Sequence, residues 1–378
     1  MTDLHLPVTK SSLPVSLDAM GGDFGSRIAV EGAVLAAQEL GIEVILVGNK
    51  SEIESHLKAL GASKEPRLMI HHTDELIEMQ ESPASALRRK PNSSIHKAFE
   101  LMHEGRVSSV VSAGNTGAFM AVGMNILGTV PGVVRPPIAS LLPNADDNGP
   151  SVLLDAGANV DCNAHQLVQF AIMGSYYAAS ILGLESPRVA LLSNGSEAVK
   201  GTDVIRSAAA VLNEIKKLNY IGYVEGSDIG RSKSDVIVCD GFAGNVLLKA
   251  IEGAVDLVFD SINHQIEKSS RGKLGLWLAK PVIKSVFKEK LDPSSYGGAP
   301  LLGLNGVSII CHGAASARGI MNGIRVAKKL ANDELVTKIA SALGDLEAAQ
   351  SAGYQDGIWG RMGKRFDRNK KESQDSDS

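Results

Sequence analysis

Short uninterrupted apolar runs recur along the chain: LPVSLD, EVILVGN, RLMIHH, SSVVSAG, SVLLDAG, RVALLSNG, NYIGYVEG, DVIVCDG and GVSIICHG. They are rich in Val, Ile and Leu, and a continuous rather than alternating apolar run is what a strand buried on both faces requires. Longer stretches with helical spacing fall between them and predict helices over Arg27–Leu40, Ser51–Leu60, Ser93–Glu104, Ala164–Leu182, Thr202–Leu218 and Gly244–Ile266. Ser51, Asn92 or Ser93, and Asn163 stand where a side-chain oxygen can satisfy free first-turn N–H groups. The alternation predicts an α/β fold, a mostly parallel sheet with helices on both sides.

Turns in this pattern repeat a chemistry. Runs end in LDAMGGD, SAGNTGA, LDAGANVDCN, LSNGSEAVKG, CDGFAGN and CHGAASA, each placing Gly and small polar residues between a strand and a helix. In a parallel sheet such turns gather along the carboxyl edge, where open α/β sheets bind ligands, so they are expected to line one cleft. Glycine allows close backbone approach, and a helix start aims N–H groups at the cleft, which favours phosphate or another oxyanion. No GxxxxGK[ST] string occurs and GGDFG is not GxGxxG, so nucleotide-binding classes lose their main support.

Within these turns, Lys200 reads either as an ammonium placed to neutralise phosphate or a developing oxyanion, or as a solvated first-turn lysine. Asp240 and Asn245 read as groups that orient a polar substrate or as caps of their own loop. Cys239 suggests a thioester relay, but a Cys inside VIVC more often belongs to a buried strand. His312 could contact an anion or move a proton, or be structural. His71 and His72 point to opposite faces of a strand and do not suit shared metal ligation. Asp18, Asp23, Asp155 and Asp161 could hold Mg²⁺ among phosphates, but their Gly-rich turns account for them without metal, and no metal or cofactor is expected.

Composition narrows the classes. The 378 residues are 44% hydrophobic and 21% charged, ordinary for a globular protein, and a net charge of −4 gives no basic field for nucleic acid. Cys162, Cys239 and Cys311 form no CxxC pair, and the N-terminus lacks the regions of a signal peptide, which fits a reducing cytoplasm. No apolar run is long enough to span a bilayer. No repeat or linker marks an internal boundary. Expected are a flexible stretch 1–12, one α/β domain over 13–345 and an extension 346–378 with a frayed, charged end.

Val255 to Leu291 differs in kind, since apolar residues including Leu274, Trp277 and Leu278 at helical spacing alternate with many Lys and Arg. Such a segment can lie on an anionic membrane, or pack as a helical hairpin on its own domain or a partner subunit.

Taken in order, the strings DAMGGD, RRKPNSSI, SAGNTGA, LLDAGANVD, LVQFAIMGS, SPRVALLSNGSEAVKG, DVIVCDGFAGNVLLKAIEG and YGGAPLLGLNGVSIICHG resemble the bacterial phosphate acyltransferase (PlsX) family. They cover about Leu13 to Arg325. The resemblance implies a Rossmann-like three-layer αβα fold of the isocitrate dehydrogenase and phosphate acetyltransferase type. It implies transfer of an acyl group from acyl carrier protein to inorganic phosphate, which opens phospholipid synthesis. It further implies a homodimer, cytoplasmic with peripheral membrane contact through a hairpin at about 255–291, and contact with the downstream glycerol-phosphate acyltransferase. By motif, Lys200, Asp240, Asn245 and His312 fall in or near the active cleft, and Asp18, Gly21, Gly22, Gly114, Asn115, Thr116, Gly117, Gly241 and Gly244 are placed as phosphate- or substrate-binding positions. The chain departs from the family pattern at Phe24, Gly25 and Ser26, which follow DAMGGD, and at Ser193. Alternatives within reach of the same residues are a short-chain acyl-CoA phosphotransferase, a metal-dependent decarboxylating dehydrogenase, and a non-catalytic phosphate-binding scaffold on a lipid surface.

Overall fold

The computed structural model describes residues 13–145, 149–267, 275 and 297–352. The chain opens with β1 (Val15–Asp18), α1 (Ser26–Leu40), β2 (Val44–Gly48), α2 (Lys50–Ala59) and β3 (Leu68–His72). Next come α3 (Pro83–Arg89), α4 (Ser94–His103), β4 (Ser109–Ser112), α5 (Thr116–Leu127) and β5 (Ala139–Leu142). The middle of the chain forms β6 (Ser151–Leu154), α6 (Ala164–Leu182), β7 (Val189–Leu192), α7 (Asp203–Leu212), β8 (Tyr220–Val224), β9 (Val236–Val238) and α8 (Gly241–Glu267). It closes with β10 (Ala299–Pro300), β11 (Val307–Ile310), α9 (Ala317–Asn332) and α10 (Leu335–Ala352).

Every apolar run of the sequence is a strand, and β1, β2, β4, β6, β9 and β11 are buried along their whole length. Two strands escape the pattern, β5 and β10. One sheet has the order β10-β11-β4-β1-β2-β3 and the other β5-β6-β9-β7-β8, and in each only the named edge strand, β10 or β5, is antiparallel. These two edges meet, because Ile138 bridges Leu301 in antiparallel sense and Leu302 donates its N–H to the Pro137 carbonyl at 3.0 Å. A single main core runs beneath both sheets, from Val15 and Val44 to Val152 and Val189. Continuous burial on this scale is what stabilises parallel strands.

The junction reverses direction. Across β11, β10, β5 and β6 each neighbour is antiparallel, so the parallel strands of the second sheet run opposite to those of the first. The expectation that all Gly-rich turns line one edge is therefore corrected: they form two groups, one at the carboxyl edge of each sheet.

Helix boundaries also adjust. Asn49, not Ser51, caps α2, accepting the Glu52 N–H, while Ser51 donates to the Asn49 side chain at 2.7 Å. Ser93 caps α4, and Asn163 with Gln166 forms a reciprocal capping box on α6. Helix α7 stops at Leu212, short of the expected Leu218, where the Asn213 side chain donates back to the Ala209 carbonyl. The expected division at 345 falls inside α10, whose Leu343 and Leu346 are both in the main core. Of the segment 255–291, the part through 267 continues α8; Leu274, Trp277 and Leu278 lie outside the described residues.

Candidate active site

At the carboxyl edge of the first sheet, Asp18 ends β1 and is fully buried. Its carboxyl accepts from the Ser112 hydroxyl at 2.7 Å and from the Met20 N–H at 3.1 Å, and Ser112 in turn accepts the Gly114 N–H at 2.9 Å. Burial raises the Asp18 pKa above the usual carboxylate range, against the lowering pull of Ser94, Ser112 and the turn amides. Asp18 thus fastens the loops after β1 and β4 to each other from inside. A side chain at Gly21 would come within 2.6 Å of the Gly114 nitrogen, so these two backbones touch only because Gly21 has no Cβ. The loop after β11 joins them through the Asp23 N–H, which donates to the Gly313 carbonyl at 2.8 Å, beside Gly22.

Asn115 is occupied inside the same nest. Its oxygen caps α5 at the Ala118 N–H, 2.9 Å away, and its amide donates to the Met79 and Glu81 carbonyls, both at 2.8 Å. Gly117 allows Pro83 of α3 to pack on α5. Thr116 and His312 remain exposed on this edge. The His312 Nδ1 accepts the Ala314 N–H at 3.1 Å, a contact that leaves Nε2 as its other ring nitrogen.

At the carboxyl edge of the second sheet, β9 pairs with β6 on one side and β7 on the other, so their three following turns are side by side. The fully buried Asp155 organises the first of them: one carboxyl oxygen accepts from the Ile138, Gly157 and Ala158 N–H groups at 3.0, 3.1 and 3.0 Å, and the other from the Asn159 N–H and side-chain amide at 2.6 and 2.8 Å. Asn159 also donates to the Pro136 carbonyl at 3.3 Å, and its own carbonyl accepts the Gly241 N–H at 2.7 Å. Asp155 and Asn159 carry the turn's architecture. The sequence reading of Asp155, a possible metal ligand or a residue of its Gly-rich turn, did not extend to this anchoring role, because five N–H donors converging from residues 138 to 159 leave no local pattern.

Asp240 caps α8 by accepting the Ala243 N–H at 2.7 Å. A methyl on Gly244 would collide with the Asp155 carbonyl oxygen, and one on Gly241 would lie 2.6 Å from the Asn159 carbonyl oxygen, so both glycines let the start of α8 sit directly on the Asp155 turn. Asn245 is exposed beside Gly157, where an added Cβ would lie 3.4 Å from its own. On the turn after β7, Asn194 accepts the Gly201 N–H at 2.9 Å, and the exposed Lys200 folds its aliphatic stem over Gly195. Lys200, Asp240 and Asn245 therefore share this edge, while His312 and the residues from Asp18 to Gly117 share the other.

Cys239 is buried and donates to the Asp155 carbonyl at 3.8 Å, and burial raises its pKa. Burial likewise pushes the half-buried Cys162 up to about 12. Neither offers the thiolate a covalent relay needs. Among the described residues no group of three or more His, Cys, Asp or Glu could hold a metal ion, and no helix is long and apolar enough to cross a membrane.

Two opposed parallel lobes, joined by an antiparallel pair and edged by Gly-rich turns, define an α/β architecture shared with the phosphotransacetylases. The chain resembles a phosphotransacetylase from Streptococcus pyogenes with a TM-score of 0.58 at 17% identity, covering 85% of this chain and 94% of that one. It resembles another from Staphylococcus aureus with a TM-score of 0.53 at 17% identity, covering 84% and 94%. The chain belongs to the fatty acid synthesis protein family, whose model matches residues 13–338. It is 46% identical to the phosphate acyltransferase of Pelotomaculum thermopropionicum over 342 residues, 90% of this chain and 98% of that protein. It is 47% identical to that of Moorella thermoacetica over 337 residues, 89% and 96% respectively.

Proposed function

We propose that this chain is an acyltransferase that moves a fatty acyl group from the thioester of acyl carrier protein to inorganic phosphate, forming acyl phosphate for phospholipid synthesis. The observation that carries the reading is the placement of Lys200, Asp240 and Asn245 on the adjacent turns after β7 and β9, the second of which is seated on the Asp155 turn. A phosphate oxygen attacks the thioester carbonyl carbon, the carbonyl oxygen takes the negative charge, and collapse breaks the C–S bond and releases the carrier thiol. Phosphate is a competent nucleophile near neutral pH, so the protein's work is positioning and charge stabilisation. Lys200 and Asn245 stabilise the oxyanion, and Asp240 fixes the helix start that carries Asn245. The inert, buried Cys239 fits direct attack without an acyl-enzyme.

The first edge, with the exposed Thr116 and His312, takes the phosphate. With Thr116 and His312 on one group of turns and Lys200, Asp240 and Asn245 on the other, this reading goes with a homodimer in which one copy's first edge meets the other's second. The protein works in the cytoplasm, with the basic segment around Leu274, Trp277 and Leu278 on an anionic membrane, close to the glycerol-phosphate acyltransferase that consumes the product.

The test is phosphate-dependent release of free thiol from acyl carrier protein, with acyl phosphate identified by mass. Turnover confined to short acyl-CoA would instead make it a short-chain phosphotransferase. Binding to liposomes and phosphate with thioesters left intact would make it a scaffold.

A further inference from the structure

Isolated exposed apolar side chains are normal on a protein surface, but a group of them on one edge is not. Val160, Val199, Phe242 and Val246 are 52–77% exposed, and all four stand on the turns or helix start that carry the candidate active site. Val160 follows Asn159, whose carbonyl accepts the N–H of Gly241, the residue before Phe242. Val246 lies one helical turn beyond Phe242 on the same face of α8. Asn245 stands between them in sequence, so a polar group and an apolar strip leave the same helix start together.

The geometry points to Val160, Phe242 and Val246, with Val199 on the neighbouring turn, as the surface that receives the fatty acyl chain of the substrate. This rests on the acyl transfer proposed above and adds to it where the chain lies and what sets chain-length preference. The substrate has the same polarity pattern as this edge: a carbonyl that must meet Lys200 and Asn245, continued at once by a hydrocarbon tail. Each methylene that such a strip removes from water strengthens binding by roughly fourfold, so chain length becomes readable here.

The experiment compares kcat/KM for phosphate-dependent thiol release from palmitoyl and butyryl carrier protein, using the full chain, its Phe242→Ser/Val246→Ser variant, and Phe242→Leu. Wild type is expected to favour palmitoyl. The double variant should lose that preference by roughly tenfold or more, and Phe242→Leu should keep it. Val160→Ser, at a separate exposed position, should reduce the preference in the same direction and guards against misfolding of the double variant. An unchanged palmitoyl-to-butyryl ratio in both polar variants overturns the assignment. Wild type that releases no thiol from either substrate removes the acyl-transfer reading itself, and this inference with it.

Discussion

In the proposed reaction, Lys200 is the residue on which the chemistry most directly depends. Its ammonium is exposed on the second edge with its stem folded over Gly195, so truncation removes charge without opening a core. Lys200→Ala should keep the wild-type melting temperature and lose roughly a hundred- to a thousandfold in kcat for acyl phosphate formation; near wild-type turnover in a folded variant would exclude the role. Cys239→Ser should stay within about threefold of wild type in the same assay, since a buried thiol with a raised pKa supplies no nucleophile. Asp18 gives a pH signature. Its folded pKa lies above 3.8, so the native chain binds its proton more readily than the unfolded chain, and stability falls as pH rises from the unfolded value through the folded one. Asp18→Asn removes that titration, and its urea midpoint should gain on wild type as pH rises above the unfolded carboxylate value of about 4.

Among elements, α8 shows how backbone contact rather than side-chain chemistry fixes the site. Its first turn rests on the Asp155 carbonyl through Gly244, and the sequence reading of this glycine as a phosphate cradle did not anticipate a packing contact 89 residues away in the chain. Gly244→Ala should destabilise the fold by about 2 kcal/mol or more, measured by urea denaturation, because backbone cannot yield as a side chain can. The strands of the parallel sets were legible because burial on both faces writes a continuous apolar run. Strands β5 and β10 were not: ASLL lies between Pro136–Pro137 and Pro143, AP contains a proline, and both take their identity from partners at the junction. Helix caps were half legible: Asn163 caps α6 as expected, Ser93 rather than the adjacent Asn92 caps α4, and Asn49 stands two residues ahead of Ser51 and captures it.

For the whole molecule, the reversal at the β10/β5 junction divides the Gly-rich turns into two groups. Lys200 and His312 stand on opposite edges of the composite sheet, so the proposed homodimer with shared sites makes them complementary. Mixing inactive Lys200→Ala and His312→Ala proteins after unfolding and refolding together should restore about a quarter of wild-type activity, since mixed dimers keep one intact site. No recovery beyond the separate variants would place each site within a single copy.

The sequence by itself determined the α/β class, the parallel strands, the Gly-rich turns and the family resemblance, because burial, turn chemistry and short motifs are local properties written in consecutive residues. Only the tertiary structure decided that those turns form two groups. It also showed that Asp18 and Asp155 act inside the loops as anchors, and that Val160, Phe242 and Val246 stand exposed beside the candidate chemistry. These depend on strand direction across a junction and on contacts between residues far apart in the chain, which no local pattern records.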